Sequence, residues 1–265
     1  MMIRKIKFQA GFTLVEMILV MVITGIIGGM VAMFIRAPVQ GYVDSARRAE
    51  MTDIADTALR RIGRDLRLAL PNSVRVNISG AVYYLDFLST SGGGRYRNGA
   101  GGTNNLLDFS VADNSFEALG AAPTCAANDQ VVVYNLGITG ADAYAGDNRT
   151  LCGSVVAPIV NITAKQFPFE SPNSRFQIVH EQVRYICDPA AHTLTRYSWG
   201  GGAIVVPSAA VPAVAGHLLA TNASCSFAYD QGVAQRSGLV TMNLSISENG
   251  ETVTLYSANH VSNVP

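Results

Sequence analysis

Few side chains in this sequence are placed to do chemistry, and the most exacting of them is Glu16. It is the one charged residue in the run 12–35, FTLVEMILVMVITGIIGGMVAMFI. A carboxylate in hydrocarbon costs roughly 2.5–3.5 kcal/mol on insertion scales, so a group of this kind is kept for a task. The four cysteines, Cys125, Cys152, Cys187 and Cys225, form no C-x-x-C pair and match no zinc spacing. An even number, widely spaced, predicts two structural disulfides in an oxidising compartment. Pairing of sequence neighbours, Cys125–Cys152 and Cys187–Cys225, is the default among three connectivities.

The other candidates fall short. His180-Glu181 opens like the zinc-protease motif H-E-x-x-H, yet Arg184 stands where the second histidine is required. His192, His217 and His260 lie in separate segments. Asp142, Asp147 and Asn148 share a glycine-rich loop and offer the oxygens calcium takes, but in no recognisable ligand register. The stretch 91–105, SGGGRYRNGAGGTNN, reads as a flexible loop, and without a G-K-S/T sequence it makes no phosphate cradle. No G-x-S-x-G occurs. The expectation is a protein that is not an enzyme and uses no metal and no cofactor. A formal net charge of +0 leaves no basic footprint, so no nucleic acid is expected as a partner.

The elements that position these residues follow from periodicity. At about 1.5 Å per residue, a helix over 12–35 reaches about 36 Å, enough for a hydrocarbon core of about 30 Å. Arg4, Lys5 and Lys7 precede it and Arg36 follows, a bias that holds the N-terminus in the cytoplasm and exports the rest. An ordinary cleaved signal needs small residues at −3 and −1. Cleavage after Ala32 would put Met30 at −3, and Ala37 is followed by Pro38. Gly25, Gly28 and Gly29 either loosen the span or let neighbouring helices approach closely. Pro38 is predicted to kink the helix.

Beyond Gly41, Met51, Ile54/Ala55, Ala58, Ile62, Leu66 and Ala69 recur at three- and four-residue steps, an amphipathic helix that Pro71-Asn72 ends. Asp44/Arg48, Asp56/Arg60 and Arg61/Asp65 form opposite-charge pairs at i, i+4, expected on its exposed side. Arg60, Arg61, Arg64 and Arg67 read as a solvated face, with partner docking as the alternative. Past residue 71 short strands are predicted at 81–88, 130–136, 176–186, 193–199, 224–229, 239–246 and 252–257. Turns at Asp188-Pro189 and Glu248-Asn249-Gly250 make two hairpins. Pro207 and Pro212 argue against a second membrane helix within 203–220.

The segment Gly11-Phe12-Thr13-Leu14-Val15-Glu16, behind a short basic leader, resembles the prepilin motif of type IV pilins and type II secretion pseudopilins. The resemblance implies that a prepilin peptidase cuts between Gly11 and Phe12 and methylates the new Phe12 amino group, while the span is retained. It implies that Glu16 serves assembly and recognition. An α-amino group has a reference pKa of about 8 and is mostly cationic at neutral pH. Glu16 can then pair with its own Phe12 terminus, four residues away in one helix, or with a neighbour's terminus in a filament.

The fold implied is α+β and pilin-like: a long N-terminal helix, membrane-spanning and then amphipathic, packed on a C-terminal antiparallel β-sheet domain. The expected divisions are a leader at 1–11, a transmembrane half at 12–35, an amphipathic half at 36–70 and a β-rich periplasmic domain at 71–265. The partners implied are prepilin peptidase, other pilins met through the N-terminal helix, and the inner membrane before assembly. The expected location is a single pass of the inner membrane with the C-terminal domain in the periplasm, then a pilus or pseudopilus.

The C-terminal half, with VRYICDPAAHTLTRY at 183–197, Ser224-Cys225-Ser226-Phe227 and the closing His260-Val261-Ser262-Asn263-Val264-Pro265, resembles the MshO-type minor pilins of mannose-sensitive haemagglutinin (MSHA) pili. That implies a structural component of MSHA-type pilus biogenesis. The large J-group pseudopilins of type II secretion fit the same features, and a pilus-tip binding module is a third reading.

Overall fold

The apolar run from Leu14 enters one unbroken helix, α1 (Leu14–Leu66), in a computed structural model that describes residues 11–231 and 237–265. The basic leader with Arg4, Lys5 and Lys7 lies outside the described residues. The helix passes Pro38 and Gly41 without interruption, so the proline costs one backbone donor rather than the element. The expected end at Leu70 is corrected to Leu66. The N–H groups of Arg67, Leu68 and Ala69 donate three residues back, to Arg64, Asp65 and Leu66, which tightens the last turn. Strand pairing then captures the chain: Leu70 N–H donates to the Leu88 carbonyl at 2.7 Å, and Ala69 bridges to Ser89.

The chain divides into two compact units between Glu50 and Met51. In the first, residues 11–36 are all exposed, and the helix there is long and apolar enough to cross a membrane. In the second, residues 51–66 of α1 turn an apolar stripe into a core. Met51, Ala55, Ala58, Leu59, Ile62 and Leu66 are buried with Phe87, Tyr185, Leu194, Val240, Met242 and Leu244. Ile54, which shares the stripe's spacing, is instead 37% exposed.

The strands are β1 (Arg75–Ser79), β2 (Val82–Tyr96), β3 (Asp113–Leu119), β4 (Gln130–Val133), β5 (Arg149–Val156), β6 (Ile159–Lys165), β7 (Arg175–Asp188), β8 (Thr193–Gly200), β9 (His217–Thr221), β10 (Ala223–Asp230), β11 (Ser237–Glu248) and β12 (Glu251–Ser262). All pairings among the described residues are antiparallel. The first nine form a sheet in the order β1-β2-β3-β6-β5-β4-β7-β8-β9, and β10-β11-β12 form a second. Because β2 also pairs β7, the run β2-β3-β6-β5-β4-β7 closes on itself. This part of the sheet carries its own core of Tyr96, Phe116, Val131, Phe176 and Ile178. The disulfide Cys125–Cys152 (Cα–Cα 6.2 Å) anchors the segment before β4 to β5, and Cys187–Cys225 (5.9 Å) joins β7 to β10 and so links the two sheets. At the β11–β12 turn Asn249 and Gly250 have φ of 51° and 83°, the left-handed pair a tight hairpin needs.

Two further expectations are corrected. Residues 91–96 belong to β2 rather than to a flexible loop. A Cβ on Gly93 would lie 2.7 Å from the Phe176 carbonyl oxygen, and one on Gly94 3.0 Å from the Phe176 ring. These glycines permit close approach, with no gain in mobility. The Arg61/Asp65 pair is also displaced. Asp65 Oδ2 instead accepts from Arg196 Nε and from the Tyr185 hydroxyl, each at 2.7 Å, which pins α1 to β7 and β8.

Candidate functional site: the Gly11–Glu16 segment

Gly11, Phe12 and Thr13 precede the helix. Thr13 caps it: its Oγ1 accepts the Glu16 N–H at 3.3 Å, and its carbonyl accepts the Met17 N–H at 3.1 Å. Thr13 and Glu16 thus occupy the two positions of a T-x-x-E capping box. The sequence reading passed over Thr13, although that spacing was the signal for it. Glu16 sits in the first turn of α1, where the helix dipole favours an anion. Phe12 lies just before the helix, next to the capping Thr13. In the uncut chain the Phe12 nitrogen is also a peptide amide and carries no charge. Among the described residues no cation stands within ion-pair distance of the Glu16 carboxylate.

The surroundings of these residues are open. A Cβ at Gly11 would meet nothing within 4 Å, and the same holds at Gly25, Gly28 and Gly29. The chain's own packing therefore makes no use of their small size. Phe12 is 81% exposed and Phe34 86%, with every apolar side chain from Leu14 to Ile35 uncovered between them. Such a surface is stable only in lipid or against other apolar helices.

The remaining chemistry-bearing residues are brought together in other ways. His180 and Glu181 project to different partners from β7. His180 Nδ1 lies 2.8 Å from Asp129 Oδ1, while Glu181 accepts from Arg196 Nη2 at 2.8 Å. His192, His217 and His260 lie on the β7–β8 turn, β9 and β12. Asp142, Asp147 and Asn148 do converge, but on their own loop. Asp147 accepts the N–H groups of Gly140 and Asp142, Asp142 accepts that of Tyr144, and buried Asn148 donates to the Tyr134 carbonyl. Among the described residues no group of three or more His, Cys, Asp or Glu is placed to hold a metal ion.

The family model of the prokaryotic N-terminal methylation motif matches residues 6–34. That range takes in Gly11, Phe12, Thr13 and Glu16 and ends within the exposed apolar part of α1. No curated protein and no solved structure matches the chain. The match supports a type IV prepilin-like protein, a kind whose role is structural, and it implies processing by prepilin peptidase and assembly with other pilins.

Proposed function

We propose that this chain is a minor pilin of an MSHA-type type IV pilus, cut between Gly11 and Phe12, methylated on Phe12 and built into the filament through α1. The observation that carries the reading is the methylation-motif match at 6–34. It falls on a glycine, an aromatic and a glutamate set in order at the capped start of an exposed apolar helix. Gly11 stands in open space, so a peptidase that accepts only the smallest side chain accounts for it better than folding does.

Cleavage changes the electrostatics of the segment. It replaces the Phe12 amide with an ammonium and leaves Glu16 as the nearest carboxylate. In hydrocarbon each ion needs the other or an equivalent from a neighbouring subunit. The exposed side chains of the helix then exchange lipid for the helices of other pilins, with the domain beyond residue 71 held in the periplasm. The MSHA reading rests on the resemblance of the segments 183–197, 224–227 and 260–265 to MshO-type minor pilins. A J-group pseudopilin of type II secretion would be processed in the same way and differs in the filament that takes it up.

Mass spectrometry of the membrane-extracted chain tests the reading. An N-terminus at methylated Phe12 is expected, and one still at Met1 or Met2 overturns it. Sheared MSHA-type pili from the native host should contain the chain. Its absence there, together with a secretion defect on deletion, would assign it to the pseudopilus instead.

A further inference from the structure

We propose that the free edge of β12 and the arginine face of α1 form a docking site for an extended acidic segment of a partner polypeptide, which adds as a fourth strand to the β10-β11-β12 sheet. β12 is the last strand of that sheet and pairs β11 along its whole length without a register shift. Its other edge has no ladder partner among the described residues. The edge strands of the larger sheet, β1 and β9, have 5 residues each, whereas β12 has 12. Proteins guard a long edge with charged side chains, above all lysine, with proline, with a bulge or with a covering element. The sequence of β12, ETVTLYSANHVS, has no lysine, proline or bulge, and its one carboxylate, Glu251, sits at the hairpin end.

The packing of β12 points the same way. Its inward positions Val253, Leu255, Ser257 and Asn259 are only half-buried, while Val240, Met242, Leu244 and Ile246 on β11 are fully buried. The difference is the cover that one further strand would supply. Beside the edge runs a groove of about 440 Å³, with Leu255, Ser257 and Asn259 on one wall and Arg60, Arg64 and Arg67 on the other. Arg60 is held by Asp56 at 2.6 Å. Among the described residues no carboxylate lies within ion-pair distance of Arg64 or Arg67.

A strand added about 4.8 Å from β12 turns every second side chain toward α1. Acidic residues at those alternate positions would meet the arginines, while backbone hydrogen bonds to β12 supply sequence-independent affinity. The charge thus selects the partner and the open edge holds it. This site shares no residue with the Gly11–Glu16 segment and does not depend on how that segment is processed.

The test uses the full chain in lipid nanodiscs and a short synthetic peptide in which glutamate alternates with valine. Amide hydrogen exchange of residues 252–260 should slow on peptide addition, and binding should weaken as salt rises. Arg64→Glu/Arg67→Glu should lower the affinity about tenfold or more, and a peptide with lysine in place of glutamate should not bind. Both arginines are exposed, so unchanged exchange in β2 and β7 will show that the fold is kept. Arg64→Gln/Arg67→Gln replaces the charge-reversal variant if it is not. Unaltered β12 exchange with the peptide bound, no binding of the acidic peptide, or equal binding of the lysine peptide or the variant overturns the proposal.

Discussion

At Gly11 a side chain would meet nothing in the chain itself, so Gly11→Val is expected to leave the domain folded and to block cleavage. The intact mass should then keep the leader, with Arg4, Lys5 and Lys7 still attached. Glu16→Ala should act at a later step. It deletes the carboxylate but leaves Gly11 and the apolar run, so processing proceeds and incorporation into sheared filaments falls severalfold or more. Full incorporation of the Glu16→Ala chain would end the pairing argument while leaving the cleavage argument standing. Glu16 stands out in the sequence because one charge in an apolar run is conspicuous. Thr13 is marked only by its T-x-x-E spacing to Glu16, a weak signal inside an apolar run that the Glu16 N–H donating to its Oγ1 makes plain.

The domain-bound half of α1 acts through a stripe that the sequence displays openly. Ile62 is fully buried against both sheets' inward residues, so Ile62→Ala should cost about 2–5 kcal/mol in urea unfolding, whereas exposed Leu68→Ala should cost little. A second element depends on pH. Arg97 donates to Glu117 on β3 at 2.6 Å and Thr103 donates twice more, and these bonds hold the Glu117 carboxyl down at about 2 against an ordinary 4.5. A depressed carboxyl contributes stability above its unfolded value and loses that contribution as pH falls toward the folded one. Glu117→Gln should therefore flatten the stability loss between about pH 4.5 and about pH 2, measured by denaturant melts across that range. Helix periodicity made residues 51–66 readable, and alternation with clear turns gave β7, β8, β11 and β12. It did not give β1, β3, β5, β6 and β9. RVNIS and HLLAT are short, and β5 and β6 meet at a register shift beside Gly153. The glycines of β2 suggested a loop because their purpose, contact with Phe176, lies on the paired strand β7, far along the chain.

For the whole folded domain the decisive link is between sheets. Residues from β2, β7, β10 and β11 meet in one core under α1, and Cys187–Cys225 joins two of those strands across the sheet boundary. Cys187→Ser/Cys225→Ser should destabilise the domain by about 3–4 kcal/mol in the chain-entropy model, seen as a lowered urea midpoint. The pairing also has a bearing on biosynthesis. Both bridges connect consecutive cysteines, Cys125 to Cys152 and Cys187 to Cys225, so neither loop encloses or crosses the other. A chain exported behind an N-terminus that stays in the cytoplasm presents its thiols to the periplasm in that same order. An oxidant that couples each new thiol to the last free one makes the native set at once, with no wrong bridge to reshuffle. Maturation should therefore need a periplasmic thiol oxidase but no disulfide isomerase. Yields of oxidised protein in hosts lacking one or the other will show whether it does.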